Sequence, residues 1–402
     1  MLQAVPVMLI LFVLFPRIPG PLWGLPQDAN SGMTGLGDSL QFGNISNLTQ
    51  NSSIAFRVQF KGAAPAQNQL YWRGPVLWHQ EDRHWTMSSS QIGLQPESLI
   101  TQGTPIEYTI TLEPHNRTWM LMLDMPTLIP ADAKLTHDYS VVADKPVRTR
   151  TRYAGTSFNT YTLGANLGER ERILSLQINE GENPKTVQLA KTWGVLSAAD
   201  KINIALNMYR QQPFVYTLRP PVLGDNPVDD FLFKSKRGFC EHYATSFVYL
   251  MRAAGVPARI VTGYQGGEFN PNGNYYIVRQ SDAHAWAEVW LADKGWVRID
   301  PTAAVSPERV ESGLADALND IDELPLMARN NNAWLKKVYL NWDGVNNGWN
   351  QWVLGYDDKK QLDFLKKLSG KNVDLQSLLV WMMATITVVM GVTTYLDRKS
   401  VV

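Results

Sequence analysis

The chain of 402 residues has a single cysteine, Cys240. It has no partner for an internal disulfide, so the redox compartment cannot be read from cysteine usage. An excess of either charge is missing as well. Lys plus Arg and Asp plus Glu both number 37, and no basic surplus points to nucleic acid. Charged residues make up only 18% against 45% hydrophobic. That share lies below the roughly 25% usual for soluble domains and hints at membrane contact.

Long apolar runs are few, and two are membrane candidates. Met1 to Phe15 is apolar apart from Gln3 and Pro6. At about 1.5 Å per residue it is short for a ~30 Å hydrocarbon core. It has no charged leading region and no small-residue cleavage site, so it fits a signal peptide poorly. Residues 1–18 are therefore expected to be a membrane segment, and a partial one. Leu375 to Leu396 is uncharged and long enough to span, so 375–396 is expected as a transmembrane helix and 397–402 as a short tail. Lysines before it, and Arg398 and Lys399 after it, leave orientation undecided by charge.

Between these runs the pattern changes several times. Residues 19–53 are rich in Gly, Asn and Ser and are expected as loop. Runs such as IAFRVQF, LYWRGPVLW, IEYTITLEP and VRTRTRYAG mark 54–174 as a β-rich region, an antiparallel sandwich or barrel. His79, Asp82 and His84 lie close together there, but their spacing matches no strong metal-ligand pattern and a polar turn is the better reading. From about 175 the spacing becomes helical, through Val187, Leu189, Ala190 and Trp193, then Ile202, Ala205, Leu206 and Tyr209, with Pro213 as a stop. The core is expected over 175–325. In 326–374, Trp334, Tyr339, Trp342, Trp349, Trp352 and Tyr356 interleave with polar residues. This pattern predicts an amphipathic helical connector, packed on the core or lying on a bilayer.

The chemistry concentrates between Arg237 and Thr302. Cys240 follows Gly238 and opens a helical pattern through Tyr243, Phe247, Leu250, Met251 and Ala254, stopped by Gly255 and Pro257. A helix N-terminus lowers a thiol pKa and offers free N–H groups to an oxyanion. AHAWAEVWL then alternates as a strand, with His284 and Trp286 on one face. A DKG turn leads into WVRID, and antiparallel pairing about that turn sets His284 beside Asp300. A thiol, a base and a carboxylate to hold the base are the parts of a nucleophilic triad. The bland alternative is a buried cysteine, a core histidine and a strand-end aspartate; the joint placement argues against it. His242 reads as packing rather than as a second base, and Asp282 as a turn cap. Trp286 and Trp296 are candidate cleft walls, with core packing equally open. Arg259 could pair with an acidic group or a substrate carboxylate.

GFCEHYATSFVYLMRAAGVPARIVTGY, followed by DAHAWAEVW and GWVRIDPT, closely resembles the transglutaminase-like superfamily core. With FVYTLRPP, DDFLF and PTAAVSPERV added, the chain looks like the bacterial inner-membrane transglutaminase protein A type. The resemblance implies an α+β fold: a papain-like transglutaminase core preceded by a β-rich domain and flanked by membrane segments. It places the nucleophile on Cys240, the base on His284 and the orienting carboxylate on Asp300. It also implies a catalytic domain on the periplasmic face of a bacterial inner membrane. Members of this type carry further spans before this region and a cytoplasmic domain after it, so the chain is expected to be shortened at each end.

The expected reaction is attack of the thiolate on a glutamine carboxamide, loss of ammonia, and transfer of the acyl group from the thioester to an amine. The Cys240 amide is the first expected oxyanion donor and Tyr216 a second. No metal or cofactor is expected. The partners are protein or peptide substrates of the cell envelope and the bilayer itself. A thiol peptidase or amidase acting on envelope peptides, and a non-catalytic envelope-assembly module, are the alternatives.

Overall fold

The computed structural model describes residues 36–41, 45, 51–81, 84–87, 95–317, 333–349, 366–367, 380–385 and 387–388. Two largely antiparallel sheets organise residues Asn30–Lys336, which form one compact unit. Their strands are β1 (Ile54–Phe60), β2 (Tyr71–Leu77), β3 (Leu99–Gln102), β4 (Ile106–Leu112), β5 (Met122–Leu123), β6 (Pro126–Leu128), β7 (Thr151–Ser157), β8 (Thr160–Leu163), β9 (Ala258–Gln265), β10 (Glu268–Asn270), β11 (Tyr275–Arg279), β12 (Ala283–Leu291) and β13 (Gly295–Ile299). The seven-stranded sheet runs β3-β8-β13-β12-β9-β2-β5, and the six-stranded sheet β10-β11-β1-β4-β7-β6.

Both sheets draw strands from either side of residue 174. The early strands therefore close no sandwich of their own. The reason lies in β9, ARIVTGYQ, whose eight residues are all buried. A strand covered on both faces must sit centrally, with a neighbour on each edge. The neighbour on one edge is β12, and β2 supplies the other from nearly two hundred residues upstream. The chain leaves β9 through Gly266 and Gly267, and the next strands, β10 and β11, join the other sheet against β1.

The longer helices between residues 184 and 253 follow the predicted apolar spacing. The stretch expected to be β-rich ends in a helix, α1 (Glu169–Leu176), whose N3 residue Glu171 accepts a hydrogen bond from the Gly168 amide at 3.2 Å. That reach-back closes the first turn and lets a polar segment go helical. Next come α2 (Pro184–Thr192) and α3 (Ala198–Gln211). Ser197 caps α3 by accepting the Asp200 amide, and Ile202, Ala205 and Tyr209 form its buried stripe.

The central helix, α4 (Cys240–Ala253), is buried along almost its whole length, its polar residues Glu241, His242, Thr245, Ser246 and Arg252 included. It ends in a Schellman motif. Gly255 takes φ +78°, its amide reaches the Arg252 carbonyl at 3.0 Å, and the Val256 amide reaches the Met251 carbonyl at 2.8 Å. Beyond β13 lie the short helices α5 (Thr302–Val305) and α6 (Pro307–Glu311). A further helix, α7 (Ala333–Trp349), carries exposed Trp342 and Val345.

The expected membrane segment at 1–18 lies outside the described residues, as does most of 375–396. Among the described residues no helix is long and apolar enough to cross a membrane.

Gly263 of β9 pairs directly with His284 of β12. A Cβ there would lie 2.0 Å from the Trp72 carbonyl oxygen and 2.9 Å from the Trp286 ring. The Gly263→Ala variant is therefore expected to lose about 1–3 kcal/mol of stability in denaturant titration, because backbone cannot retreat as a side chain can. An unchanged midpoint would contradict this tight approach of β2 to β9.

Candidate active site

The site is assembled from α4, β12 and the end of β13. Gly238 and Tyr216 form a two-residue parallel bridge just before α4, and Phe239 takes an extended conformation as its N-cap. This sets Cys240 at the first helical position, where it is fully buried. The backbone amide of Ala285, the residue after His284, acts on the thiol in the direction that lowers its pKa.

Pairing of β12 with β13 brings His284 to Asp300. Ala287 faces Ile299 and Leu291 faces Gly295, across a turn at 292–294. Asp300, one residue past β13, reaches back so that its Oδ2 lies 2.7 Å from His284 Nε2. Oδ2 also accepts the Tyr71 hydroxyl at 2.8 Å, and Oδ1 accepts the Thr302 amide at 3.0 Å. Burial pushes the Asp300 carboxyl upward, but the His284 charge and hydrogen bond, with Tyr71 and Thr302, bring it below the usual aspartate value. An ionised carboxylate only accepts, so Nε2 carries the ring proton. Nδ1 is then the lone-pair nitrogen, and it is buried without a hydrogen-bond partner.

Burial decides the resting charge state. It pushes the Cys240 thiol well above its usual value, reinforced by the Glu241 carboxylate; the Arg309 guanidinium and the Ala285 amide act in the opposite direction without prevailing. Burial likewise lowers His284 below 6.5, against the pull of Asp300. The thiol lowering expected from the helix N-terminus is overridden by desolvation. Both shifts favour the uncharged forms, a thiol and a neutral imidazole.

Two groups near the site went unnoticed in the sequence. Tyr71 lies on β2, and the Arg298 guanidinium sits 4.0 Å over its ring. Arg309 of α6 is fully buried, donates to Gln265 Oε1 at 2.8 Å and lies beside Tyr216 and Cys240. Neither has a local signal, since each reads as an ordinary residue of an aromatic strand or a polar turn.

The remaining candidates fall as follows. Tyr216 is buried against Phe239, ring centroids 5.0 Å apart, close enough to Cys240 for the two to interact electrostatically. Trp286 is fully buried, edge-on to Tyr71 at 5.1 Å and stacked 6.4 Å from His284. Trp296 is buried against Trp78 and under Arg259. Both tryptophans are thus core residues and wall no open cleft. Arg259 pairs with acidic groups, Glu288 at 2.7 Å and Glu97 at 2.6 Å. Asp282 caps a turn by accepting the Arg279 amide at 2.8 Å. His84 contacts Gln41, and Asp82 lies outside the described residues.

The chain matches two family models: TgpA N-terminal domain over residues 1–164, and Transglutaminase-like superfamily over residues 190–301. A protein-glutamine gamma-glutamyltransferase of Pseudomonas aeruginosa is 39% identical over 379 residues, covering 92% of this chain and 56% of that protein. The uncharacterized protein YebA of Bacillus subtilis is 33% identical over 139 residues, covering 33% of this chain and 19% of that protein. The chain thus spans about half the length, or less, of these curated relatives. The crystal structure of the periplasmic domain of TgpA from Pseudomonas aeruginosa is similar with a TM-score of 0.67 at 37% identity, covering 71% of this chain and all of that one. The same domain bound to ethylmercury gives 0.66 at 37% identity, covering 69% of this chain.

Acid sensitivity follows from the buried histidines. His242 accepts the Phe239 amide through Nδ1 at 3.3 Å, and burial brings it down to about 3. A histidine held neutral by burial binds its proton more weakly folded than unfolded. Stability is therefore expected to fall as pH drops below about 6.5, by up to ~1.4 kcal/mol per unit for His242. Glutamine at 242 keeps an acceptor for the Phe239 amide but does not titrate. In His242→Gln the slope of melting temperature against pH between 6.5 and 4 should flatten; an identical slope would refute this assignment.

Proposed function

The chain belongs to the transglutaminase-like superfamily, and we propose that it is an acyltransferase of the protein-glutamine gamma-glutamyltransferase type, held in a bacterial inner membrane with its catalytic unit facing the periplasm. One observation carries the reading. His284 donates a hydrogen bond from Nε2 to Asp300, while its Nδ1 lone pair stays buried and unpartnered one residue from the Ala285 amide, which acts on the Cys240 thiol. The papain-like character of the core and the membrane anchoring belong to the same proposal.

In the proposed reaction His284 Nδ1 takes the Cys240 proton as the sulfur attacks a glutamine carboxamide carbon. Buried surroundings favour neutral partners, so proton transfer accompanies attack instead of preceding it. Asp300 stabilises the imidazolium that forms and keeps the ring oriented; Tyr71 and Thr302 hold Asp300 in place. The tetrahedral oxyanion is met by the Cys240 backbone amide at the start of α4 and by the Tyr216 hydroxyl. The imidazolium returns its proton to the leaving nitrogen, ammonia departs and a thioester remains. An amine then attacks the thioester, His284 again accepts a proton, and the amide product leaves with the thiol restored. Water in place of the amine gives deamidation. Because Cys240 is fully buried, a substrate must open the site locally before attack.

Incorporation of a labelled primary amine into a glutamine-containing protein tests the reading. Wild type is expected to incorporate label, while Cys240→Ala and His284→Ala should lose it. Asp300→Asn, which presents the wrong hydrogen-bonding pattern to the ring, should fall by roughly 10³–10⁴-fold. Peptide fragments without amine incorporation would point instead to a thiol peptidase. Equal alkylation rates for wild type and His284→Ala at neutral pH would count against a thiol activated by His284.

A further inference from the structure

Away from the proposed catalytic residues, Glu97, His137 and Glu171 bring one ligand atom each to within 4.8 Å of one another. They come from three separate segments: the stretch before β3, the turn after residue 135, and the first turn of α1. We propose that these three side chains form a binding site for one divalent transition-metal ion, with zinc the best chemical match.

Each side chain is already held by a partner on its far side. Glu97 Oε1 accepts Arg259 Nη1 at 2.6 Å. Its Oε2 is buried with no hydrogen-bond partner, and the side chain is only 2% exposed. His137 Nδ1 lies 2.5 Å from the Gln95 carbonyl oxygen, which can only accept, so Nδ1 carries a proton. In the neutral ring this leaves a lone pair on Nε2, the arrangement in which a backbone carbonyl orients a metal-binding histidine. Glu171 uses Oε2 for the Gly168 amide, and its Oε1 is in direct hydrogen-bond contact with His137 Nε2, a contact the ion would replace.

Protonation of His137 would satisfy Gln95 and Glu171, yet it leaves Glu97 Oε2 without a donor. A divalent ion would give all three side chains one shared partner. Arg259 offsets the two carboxylates only in part, because it also pairs with Glu288 at 2.7 Å. One imidazole and two carboxylates suit zinc, with a fourth position left for water. The nitrogen ligand disfavours calcium and magnesium, which take oxygen ligands. Such an ion would staple the segment before β3, the turn at His137 and α1 together, and through Glu97 and Arg259 would tie them to β9.

The test uses the full chain in a Cys240→Ala background, which removes the thiol as a competing zinc ligand. After chelator treatment and dialysis against zinc, elemental analysis should find one zinc per chain, and zinc should raise the melting temperature saturably. Calcium and magnesium should not. His137→Gln and Glu171→Gln alter partly exposed side chains, and each should weaken zinc affinity by at least ~10-fold. Cobalt(II) bound in place of zinc should show the spectrum of mixed nitrogen and oxygen ligands. Failure to retain zinc, equal retention and equal thermal shift in both variants, or a cobalt spectrum without nitrogen ligation would each overturn the proposal.

Discussion

The register of β12 is the constraint on which the site depends. This strand pairs on one side with β9, placing His284 opposite Gly263, and on the other with β13, placing Ala287 opposite Ile299. A slip of one residue would turn His284 to the opposite face of the sheet and take its ring away from Asp300. The register is defended by bulk. Trp286 shares the His284 face and fills the space beside Tyr71, while Gly263 leaves room for that ring. The same strand carries the Ala285 amide, which acts on the Cys240 thiol.

Under this ladder lies a chain of buried charges. Glu288 of β12 is held by Arg73 at 2.5 Å and Arg259 at 2.7 Å, and Arg73 and Arg298 share Asp124. Arg298 in turn stacks on Tyr71, whose hydroxyl reaches Asp300. Burying so many ions is costly unless each is paired, and removing one partner would leave an uncompensated charge in the interior. The network therefore ties β2, β9, β12 and β13 to a single arrangement. Its last member, Tyr71, helps hold the Asp300 carboxyl below the usual aspartate value.

The two halves of the site differ in how openly they stand in the sequence. Cys240, His284 and Asp300 lie within about sixty residues, on a helix start and two strands joined by a short turn. Period-two alternation and the DKG turn were enough to place His284 and Asp300 side by side. Tyr71 and Arg309 were silent because their neighbours come from remote segments, and nothing in LYWRGPVLW or SPERV distinguishes a site residue from a packing one. The same limit applies to the β-rich region. Its strands were visible, but their partners in β9 and β11 lie more than a hundred residues downstream.

By itself the sequence determined the local features: the helix that begins at Cys240 and ends at Gly255, the alternating strand through His284, and the hairpin that returns Asp300. Short-range sterics and periodicity dictate these, and both act between near neighbours along the chain. Only the tertiary structure decided which strands share a sheet, that Trp286 and Trp296 are core, and that Arg259 answers acidic residues. It also decided the charge state of the thiol. A helix N-terminus favours the thiolate, but complete desolvation outweighs it, and burial is a property of the packed whole and not of any segment.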